Sequence, residues 1–152
     1  MKVIFLDIDG VLNSKVYDRQ RGEADGNIDK TRLPLLKRLS DETGADIVLS
    51  SSWRRRWEKD PAACDPAGRE LCATFAEAGL AILDKTPCLE KRSRADEVRA
   101  WLSAHPGVQS FVIFDDDIFG WGDLSDRLIA TNAYIGRGLE ERHVERALDL
   151  LG

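Results

Sequence analysis

Two aspartates, Asp7 and Asp9, lie one residue apart directly after the apolar run Val3–Leu6, and Gly10 follows them. An uninterrupted apolar run bounded by glycine is typical of a strand buried on both faces of a sheet. Ligands of open α/β sheets bind outside the carboxyl ends of the strands, so acids at this position predict a cation site or acid-base chemistry. A solvated turn is the alternative, but two acids directly after a buried strand have no packing purpose.

Two later apolar runs end in polar residues in the same way. Ile47–Leu49 is followed by a triplet of serines, and Phe111–Phe114 is followed by acids. Because the carboxyl ends of parallel strands meet at one edge of a sheet, we expect these residues to share a pocket with the first acid pair and with nearby basic residues. The residues expected at this edge are Asp7, Asp9, Ser50, Ser51, Lys91, Arg92, Arg94, Asp115 and Asp116.

The charges of these residues narrow the chemistry. Several carboxylates in one pocket repel each other unless some take up protons or a cation lies among them. Since all the expected ligands are oxygen atoms, a hard cation such as Mg²⁺ is the expected occupant. Mg²⁺ with carboxylates, a hydroxyl group and a Lys or Arg is suited to phosphoryl transfer, in which an aspartate can also be the nucleophile.

Helical patterns alternate with the apolar runs. The first is expected to have Thr31 as its N-cap and to end at Gly44, and Asp65 is expected to cap the second, which begins with Pro66. The expected helices are one containing Leu33, Leu36 and Leu39, one from Asp65 to Gly79, one that starts at a Ser93–Asp96 capping box, and one at Leu139–Leu151.

The alternation of strands and helices predicts right-handed βαβ units in a three-layer, doubly wound, mostly parallel α/β sheet of the Rossmann-like type. A short strand at Leu80–Leu83 and a weaker edge strand at Arg127–Thr131 are also expected. The polar stretch Ser14–Ile28 lacks a sustained period and predicts a loop or short flap. We expect residues 1–152 to form a single domain with a minimal cap or none.

Composition limits the function classes. No apolar run approaches the roughly 18 residues of a membrane helix, and the first residues do not resemble a signal peptide, so we expect a cytoplasmic protein with no membrane partner. The three cysteines have no CxxC spacing, which argues against a disulfide framework or a zinc site. The net charge of −5 gives no long-range attraction to nucleic acid, although the basic run Arg54–Arg56 can bind phosphate locally.

Four sequence motifs, DIDGVLN, LSSSWR, RADEVRAWL and VIFDDD, follow one another at the expected strand ends and helix start. In this order they resemble the signatures of the haloacid dehalogenase (HAD) superfamily of phosphohydrolases. More narrowly, the chain resembles the small, capless branch typified by the HAD domain of Swiss Army Knife RNA repair proteins. The resemblance spans nearly the whole chain.

The resemblance implies a role for each acid. Asp7 would attack phosphorus and become an aspartyl phosphate, while Asp9 would first protonate the leaving oxygen and then deprotonate the hydrolytic water. The Asp7 carboxylate and the main-chain carbonyl of Asp9 would hold Mg²⁺, and Asp115 or Asp116 would complete the protein ligands.

The resemblance also implies that a serine hydroxyl and a basic side chain bind the phosphoryl oxygens. The spacing to the following Trp-Arg favours Ser51 over Ser50 for the hydroxyl. Arg94 fits the related pattern better than Lys91 for the cation, but Lys91 and Arg92 remain alternatives.

The expected partner is a phosphorylated substrate, either a small phosphomonoester or a nucleic-acid end. By resemblance, the basic loop between Trp53 and Trp57 is consistent with a nucleic-acid end, but the acidic net charge gives no long-range attraction to a polyanion, so small phosphomonoesters such as nucleotides stay equally open. Tryptophans at this spacing more often pack a loop against the core. Arg54 is as consistent with a solvated face as with substrate binding. The oligomeric state stays open.

A second hypothesis is a receiver-like regulatory module that accepts phosphate without efficient turnover. Such modules also combine acids, a Ser or Thr, a Lys and Mg²⁺, but their phosphorylated aspartate follows the third strand. Asp9, two residues beyond the expected nucleophile, supplies the acid-base group that rapid turnover needs and therefore favours an enzyme.

Overall fold

A five-stranded parallel sheet forms the centre of the protein, which we describe from a computed structural model of residues 1–21 and 27–152. Its strands are β1 (Lys2–Leu6), β2 (Asp46–Leu49), β3 (Ile82–Lys85), β4 (Ser110–Asp115) and β5 (Leu128–Ala130). They are ordered β3-β2-β1-β4-β5, and each neighbouring pair is parallel. The predicted doubly wound α/β architecture is confirmed.

Helices cover both faces of this sheet. They are α1 (Lys15–Arg21), α2 (Leu33–Thr43), α3 (Pro66–Glu77), α4 (Arg94–Ala104) and α5 (Glu141–Leu151). Ile4 and Leu6 pack in a core cluster with residues of α2, α3 and α5, whereas Val3 and Phe5 pack in a second cluster with residues of α4. Because successive strand residues point to opposite faces, β1 is buried on both sides and lies in the middle of three layers.

The start of α4 matters for the site because Arg94 is its first residue. The predicted capping box is confirmed: the N–H of Asp96 donates to Ser93 Oγ at 3.1 Å, and the N–H of Ser93 donates to Asp96 Oδ2 at 3.4 Å. These bonds satisfy amide groups that have no partner within the helix. The cap therefore fixes the main chain that carries Arg94.

Two predictions between β1 and α2 are wrong. Lys15–Arg21 forms a helix instead of a loop, while residues 22–26 of the predicted flap lie outside the described residues. Thr31 is not the N-cap of α2. Asp29 caps a 3-10 turn at Lys30–Arg32, accepting from the N–H and hydroxyl of Thr31, and α2 starts directly after it.

Three boundaries differ from the prediction. β3 begins at Ile82 rather than Leu80, because the N–H of Leu80 still donates to Phe75 at the end of α3. The last helix begins at Glu141, because Leu139 instead donates its N–H to Val11. The strand predicted at Arg127–Thr131 is the shorter edge strand β5.

The connections that follow the strands are short. Within residues 1–21 and 27–152, the segment between β1 and α2 contains only α1 and one 3-10 turn, and the segment between β2 and β3 contains α3 and two 3-10 turns. Neither forms a cap domain over the sheet edge. In this described part of the chain, none of the helices is long and apolar enough to cross a membrane.

Candidate active site

The carboxyl ends of β1, β2 and β4 meet at one edge of the sheet. The N–H of Asp7 donates to Phe114 at 3.0 Å, and the N–H of Ser50 donates to Leu6 at 2.8 Å, so the hydrogen-bond ladder extends into the first residues after the strands. This pairing brings Asp7, the serine triplet and the acids after β4 to the same edge.

A guanidinium group joins the two buried acids of this edge. Nη1 of Arg94 lies 3.0 Å from Asp7 Oδ2 and 3.0 Å from Asp115 Oδ2. Both aspartates are buried, while the Arg94 side chain is 31% exposed and reaches the cleft. Asp115 Oδ1 also accepts the N–H of Asp117 at 2.9 Å, which fixes the carboxylate plane.

Asp7, Asp115 and Asp116 form a cluster of carboxylates with one oxygen of each within 4.8 Å of the others. Burial, together with the charges of Asp115 and Asp116, raises the pKa of Asp7 to about 7, and Arg94 only partly opposes this effect. Burial and Asp115 raise the pKa of Asp116 as well. A single guanidinium therefore leaves excess negative charge, and this all-oxygen donor set fits Mg²⁺.

Gly10 makes room for this cluster. Its φ is +86°, and a Cβ atom built there would lie 2.3 Å from Asp116 Oδ2. Both the backbone conformation and the contact therefore require glycine. The glycine that follows the acid pair in sequence thus turns the chain and admits a carboxylate from another strand.

Asp9 is exposed at the mouth of the site and is held by two donors. Its Oδ1 accepts from Asn13 Nδ2 at 2.9 Å and from the indole Nε1 of Trp53 at 3.1 Å. Trp53 also packs against the core, as predicted, but its bond to Asp9 was not expected. The one sequence signal for the contact between Trp53 and Asp9 was the position of Trp53 directly after the serines that follow β2.

The three serines after β2 occupy different environments. Ser51 is fully buried, and its Oγ accepts the N–H of Trp53 at 3.2 Å, capping a 3-10 turn at Ser52–Arg55. Ser50 Oγ is buried without a hydrogen-bond partner among the described residues. Ser52 is exposed and lines the cleft that contains Asp7, a placement that sequence patterns did not indicate.

Arg54 points into the protein instead of toward the cleft. Its Nη2 donates to both carboxylate oxygens of Glu97, at 2.9 and 2.8 Å, and its Nη1 donates to the carbonyl of Ser51 at 2.9 Å. Both side chains are buried. The ion pair therefore ties the turn after β2 to α4, and Glu97 is a partner that sequence patterns did not indicate.

The three basic residues at or just before the start of α4, Lys91, Arg92 and Arg94, differ in their position relative to the cleft. Lys91 is exposed with a φ of +56° and is not among the residues that line the cleft of Asp7. Arg92 and Arg94 both line that cleft, but only Arg94 contacts the buried acids.

Asp9 lies where three clefts meet. The carboxylate cleft, of about 530 Å³, also holds Asp7, Arg94, Asp115 and Asp116. The tryptophan cleft, of about 430 Å³, is lined by Asp9, Ser52, Trp53, Arg55, Arg56 and Ala67. The third, the Asp18 cleft of about 350 Å³, includes Lys15, Asp18, Asp116 and Tyr134.

Comparison with known families places this arrangement in context. A family model described as "HAD domain in Swiss Army Knife RNA repair proteins" matches residues 3–144, a range that includes all three acidic or serine-bearing strand ends and the start of α4. No curated protein matches the chain at a significant level. The chain belongs to this family of HAD domains.

Proposed function

We propose that the protein is a Mg²⁺-dependent phosphatase that hydrolyses phosphomonoesters through an aspartyl phosphate at Asp7. Membership of a HAD domain family supports phosphohydrolase activity in general. The observation that carries the proposal is Arg94 Nη1, 3.0 Å from both Asp7 and Asp115, in a cleft that also holds Asp9 and Asp116.

In the proposed reaction the Asp7 carboxylate attacks phosphorus, and the bond from phosphorus to the leaving oxygen breaks. Asp9 gives its proton to that oxygen. In the second step Asp9 takes a proton from water, the water oxygen bonds to phosphorus, and the bond to Asp7 breaks. Arg94 stabilises negative charge on the phosphoryl oxygens in both steps.

The carboxylates of Asp7, Asp115 and Asp116 would hold Mg²⁺, together with the main-chain carbonyl of Asp9. When bound, the ion neutralises charge on the phosphoryl oxygens. The raised pKa of Asp7 and the proximity of the three acids support a cation among them.

Ser51 is the proposed hydroxyl donor to the phosphoryl group. Its Oγ accepts the N–H of Trp53, which leaves its own O–H to donate, but the side chain is fully buried and Ser51 does not line the carboxylate cleft. Ser52, which lines the carboxylate cleft, is the second candidate for this contact.

The proposed substrates are phosphorylated nucleic-acid ends, with small phosphomonoesters such as nucleotides sharing the same chemistry. The family description, which names RNA repair proteins, supports this choice. The open edge of the sheet also supports it, since no cap domain covers the site within the described residues.

The sheet order argues against the receiver-like alternative. Receivers have the order 2-1-3-4-5, whereas this sheet has the order 3-2-1-4-5. The nucleophile proposed here also lies after β1 rather than after the third strand.

Turnover of an aryl phosphate with Mg²⁺ tests the proposal. We expect Asp7→Asn to lower kcat at least about a thousandfold, because the nucleophile is lost. The matched control is Asp149→Asn, an exposed position on α5, which should keep wild-type turnover. Equal turnover by wild type and Asp7→Asn contradicts the proposal, and stable labelling of Asp7 without phosphate release favours the receiver-like module.

A further inference from the structure

The three clefts that meet at Asp9 differ in charge. The Asp18 cleft adds two acids, Asp18 and Asp116, against one lysine. Among the residues that line the tryptophan cleft, Asp9 is the single acid and Arg55 and Arg56 are cations. A polyanion attached to a phosphoryl group in the carboxylate cleft is therefore favoured in the tryptophan cleft and repelled from the Asp18 cleft.

Arg55 and Arg56 are available to bind an anion. Both are exposed, and neither guanidinium forms an ion pair or side-chain hydrogen bond within residues 1–21 and 27–152. Arg38 and Arg99, by contrast, pair with acids: Arg38 with Glu145 at 3.0 Å and Arg99 with Asp123 at 2.5 Å. The exposed Arg69, Arg92 and Arg146 also form no ion pair within the described residues, so the place of Arg55 and Arg56 in the tryptophan cleft, and not the lack of a partner, distinguishes them. Within the described residues, no acid neutralises either guanidinium, although the protein has a net charge of −5.

The turn that carries these arginines is held in place. The carbonyl of Arg56 packs so closely on Gly68 of α3 that a Cβ atom there would lie 1.9 Å from it. The other end of the turn is fixed by the Ser51 cap, and the Trp53 ring by its bond to Asp9. The cleft therefore presents a preoriented indole beside two cations.

The position of the tryptophan cleft also fits the side on which the leaving group must lie in the proposed reaction. Asp9 donates a proton to the leaving oxygen, so the leaving group must lie next to Asp9. The tryptophan cleft adjoins Asp9 directly, and a further cleft of about 310 Å³ shares Trp53 and Ala67 with it and extends it along α3.

From these observations we infer that the tryptophan cleft is a subsite for a single-stranded nucleic acid, in which Trp53 stacks on the terminal base and Arg55 and Arg56 bind the neighbouring phosphodiester. This inference rests on the proposed function and names the part of the substrate that the phosphatase recognises. Aromatic stacking combined with arginine–phosphate contacts is how proteins bind single strands without reading their sequence.

The inference is tested by measuring kcat/KM for three substrates. The first is a trinucleotide with a terminal phosphate, made as RNA and as DNA; the second is the matching mononucleotide; the third is an aryl phosphate. We expect the wild type to prefer the trinucleotide at least about tenfold over the mononucleotide. In Arg55→Ala/Arg56→Ala this ratio should fall to near one. The charge-matched control Lys2→Ala/Arg146→Ala changes the first residue of β1, at the end of the strand opposite to the site, and a residue of α5. It should keep the wild-type ratio.

Salt dependence gives a second readout. With one phosphodiester neutralised, log kcat/KM for the trinucleotide should fall against log salt with an extra slope of about 0.7 relative to the mononucleotide. The double arginine variant should lose this extra slope at constant Mg²⁺.

Wild type without a trinucleotide preference, or an equal loss on all substrates in the double arginine variant, would overturn the subsite. Turnover of aryl phosphate that depends on Asp7 would in that case still support the proposed phosphatase. If the wild type showed no turnover that depends on Asp7, the proposed function itself would be refuted.

Discussion

At the scale of single residues, Asp9 is held so that its two oxygens differ. Asn13 and Trp53 both donate to Oδ1, whereas Oδ2 accepts no hydrogen bond from the described residues. Oδ2 is therefore the oxygen left for proton transfer in the proposed reaction. Trp53, from the neighbouring strand end, thus orients Asp9, the proposed acid-base group, which needs a fixed geometry to act on the leaving oxygen.

Gly10→Ala tests the contact between the first strand end and Asp116. The change forces a Cβ atom against the Asp116 carboxylate at a φ of +86°, so we expect a stability loss of about 1–2 kcal/mol and a clear fall in both Mg²⁺ affinity and phosphatase activity. Urea unfolding, calorimetric Mg²⁺ titration and aryl phosphate turnover measure the three effects.

Gly44→Ala is the matched control for Gly10→Ala. Gly44 has a φ of +70° at the end of α2, but a Cβ atom there would have no neighbour within 4 Å. It should lose similar stability and keep Mg²⁺ affinity and activity. If both variants keep activity, the placement of Asp116 is not required for the reaction.

Sequence patterns predicted the acids at the strand ends, because an apolar run followed directly by acids is a local signal that needs no knowledge of the fold. They did not indicate Trp53 as a partner of Asp9 or Glu97 as the partner of Arg54. These contacts join residues 44 and 43 positions apart, and their geometry depends on how the turn after β2 packs against the rest of the fold.

At the scale of elements, the buried pair of Arg54 and Glu97 links the turn after β2 to α4. Glu97 lies one turn after Arg94 on that helix and also accepts the N–H of Leu89 at 2.9 Å. Arg54 donates to the carbonyl of Ser51 in the same turn that carries Trp53. One ion pair therefore sets the position of the turn relative to the helix that presents Arg94.

Arg54→Met should lower the free energy of unfolding by about 3–5 kcal/mol, because it leaves the Glu97 carboxylate buried without its counter-charge. Arg54→Met/Glu97→Gln should recover part of this loss, since the unpaired charge is removed. Urea unfolding measures both.

Arg38→Met serves as a comparison, because Arg38 lies on the surface among Glu42, Glu141 and Glu145 and its ion pairs are screened by water. It should cost much less than Arg54→Met. A small loss in Arg54→Met, or no recovery in the double variant, would show that the pair does not fix the turn.

The helix α1 shows where sequence patterns fail at this scale. Its seven residues have no sustained apolar period, so propensity alone favours a loop. The segment is held instead by docking: the N–H of Lys15 donates to Ala133 at 2.7 Å, and Ser14 Oγ accepts the N–H of Tyr17 at 3.1 Å. The longer helices were predicted because their caps and apolar faces are local signals.

At the scale of the whole molecule, a net charge of −5 does not describe the surface around the site. Buried acids lie in the carboxylate cleft, and the adjoining tryptophan cleft contains two arginines that form no ion pair with any residue that the structure describes. Net charge follows from composition, but this separation of charge depends on the fold.

Mg²⁺ binding should stabilise the whole domain. At a concentration of 100 Kd we expect the free energy of unfolding to rise by about 2.7 kcal/mol over protein in EDTA, because the acids of the proposed site come together only in the folded state. Thermal or urea unfolding measures this, with sodium chloride at equal ionic strength as the reference.

Asp7→Asn and Asp115→Asn should lose most of this stabilisation, whereas Asp149→Asn should keep it. Equal stabilisation of Asp7→Asn and wild type by Mg²⁺ would show that the cation binds elsewhere.

The place of β1 in the sheet has a consequence for how the protein fluctuates. β1 is paired to β2 and β4 on both sides, and its residues Val3–Leu6 have no exposed surface. We therefore expect its amides to exchange with solvent only when the whole domain unfolds, and the edge strands β3 and β5 to open locally. The proposed nucleophile Asp7 follows this central strand, and the arginines proposed to bind substrate lie on a turn outside the sheet. Substitutions in that turn can thus change the range of substrates while the strand that carries the chemistry stays intact.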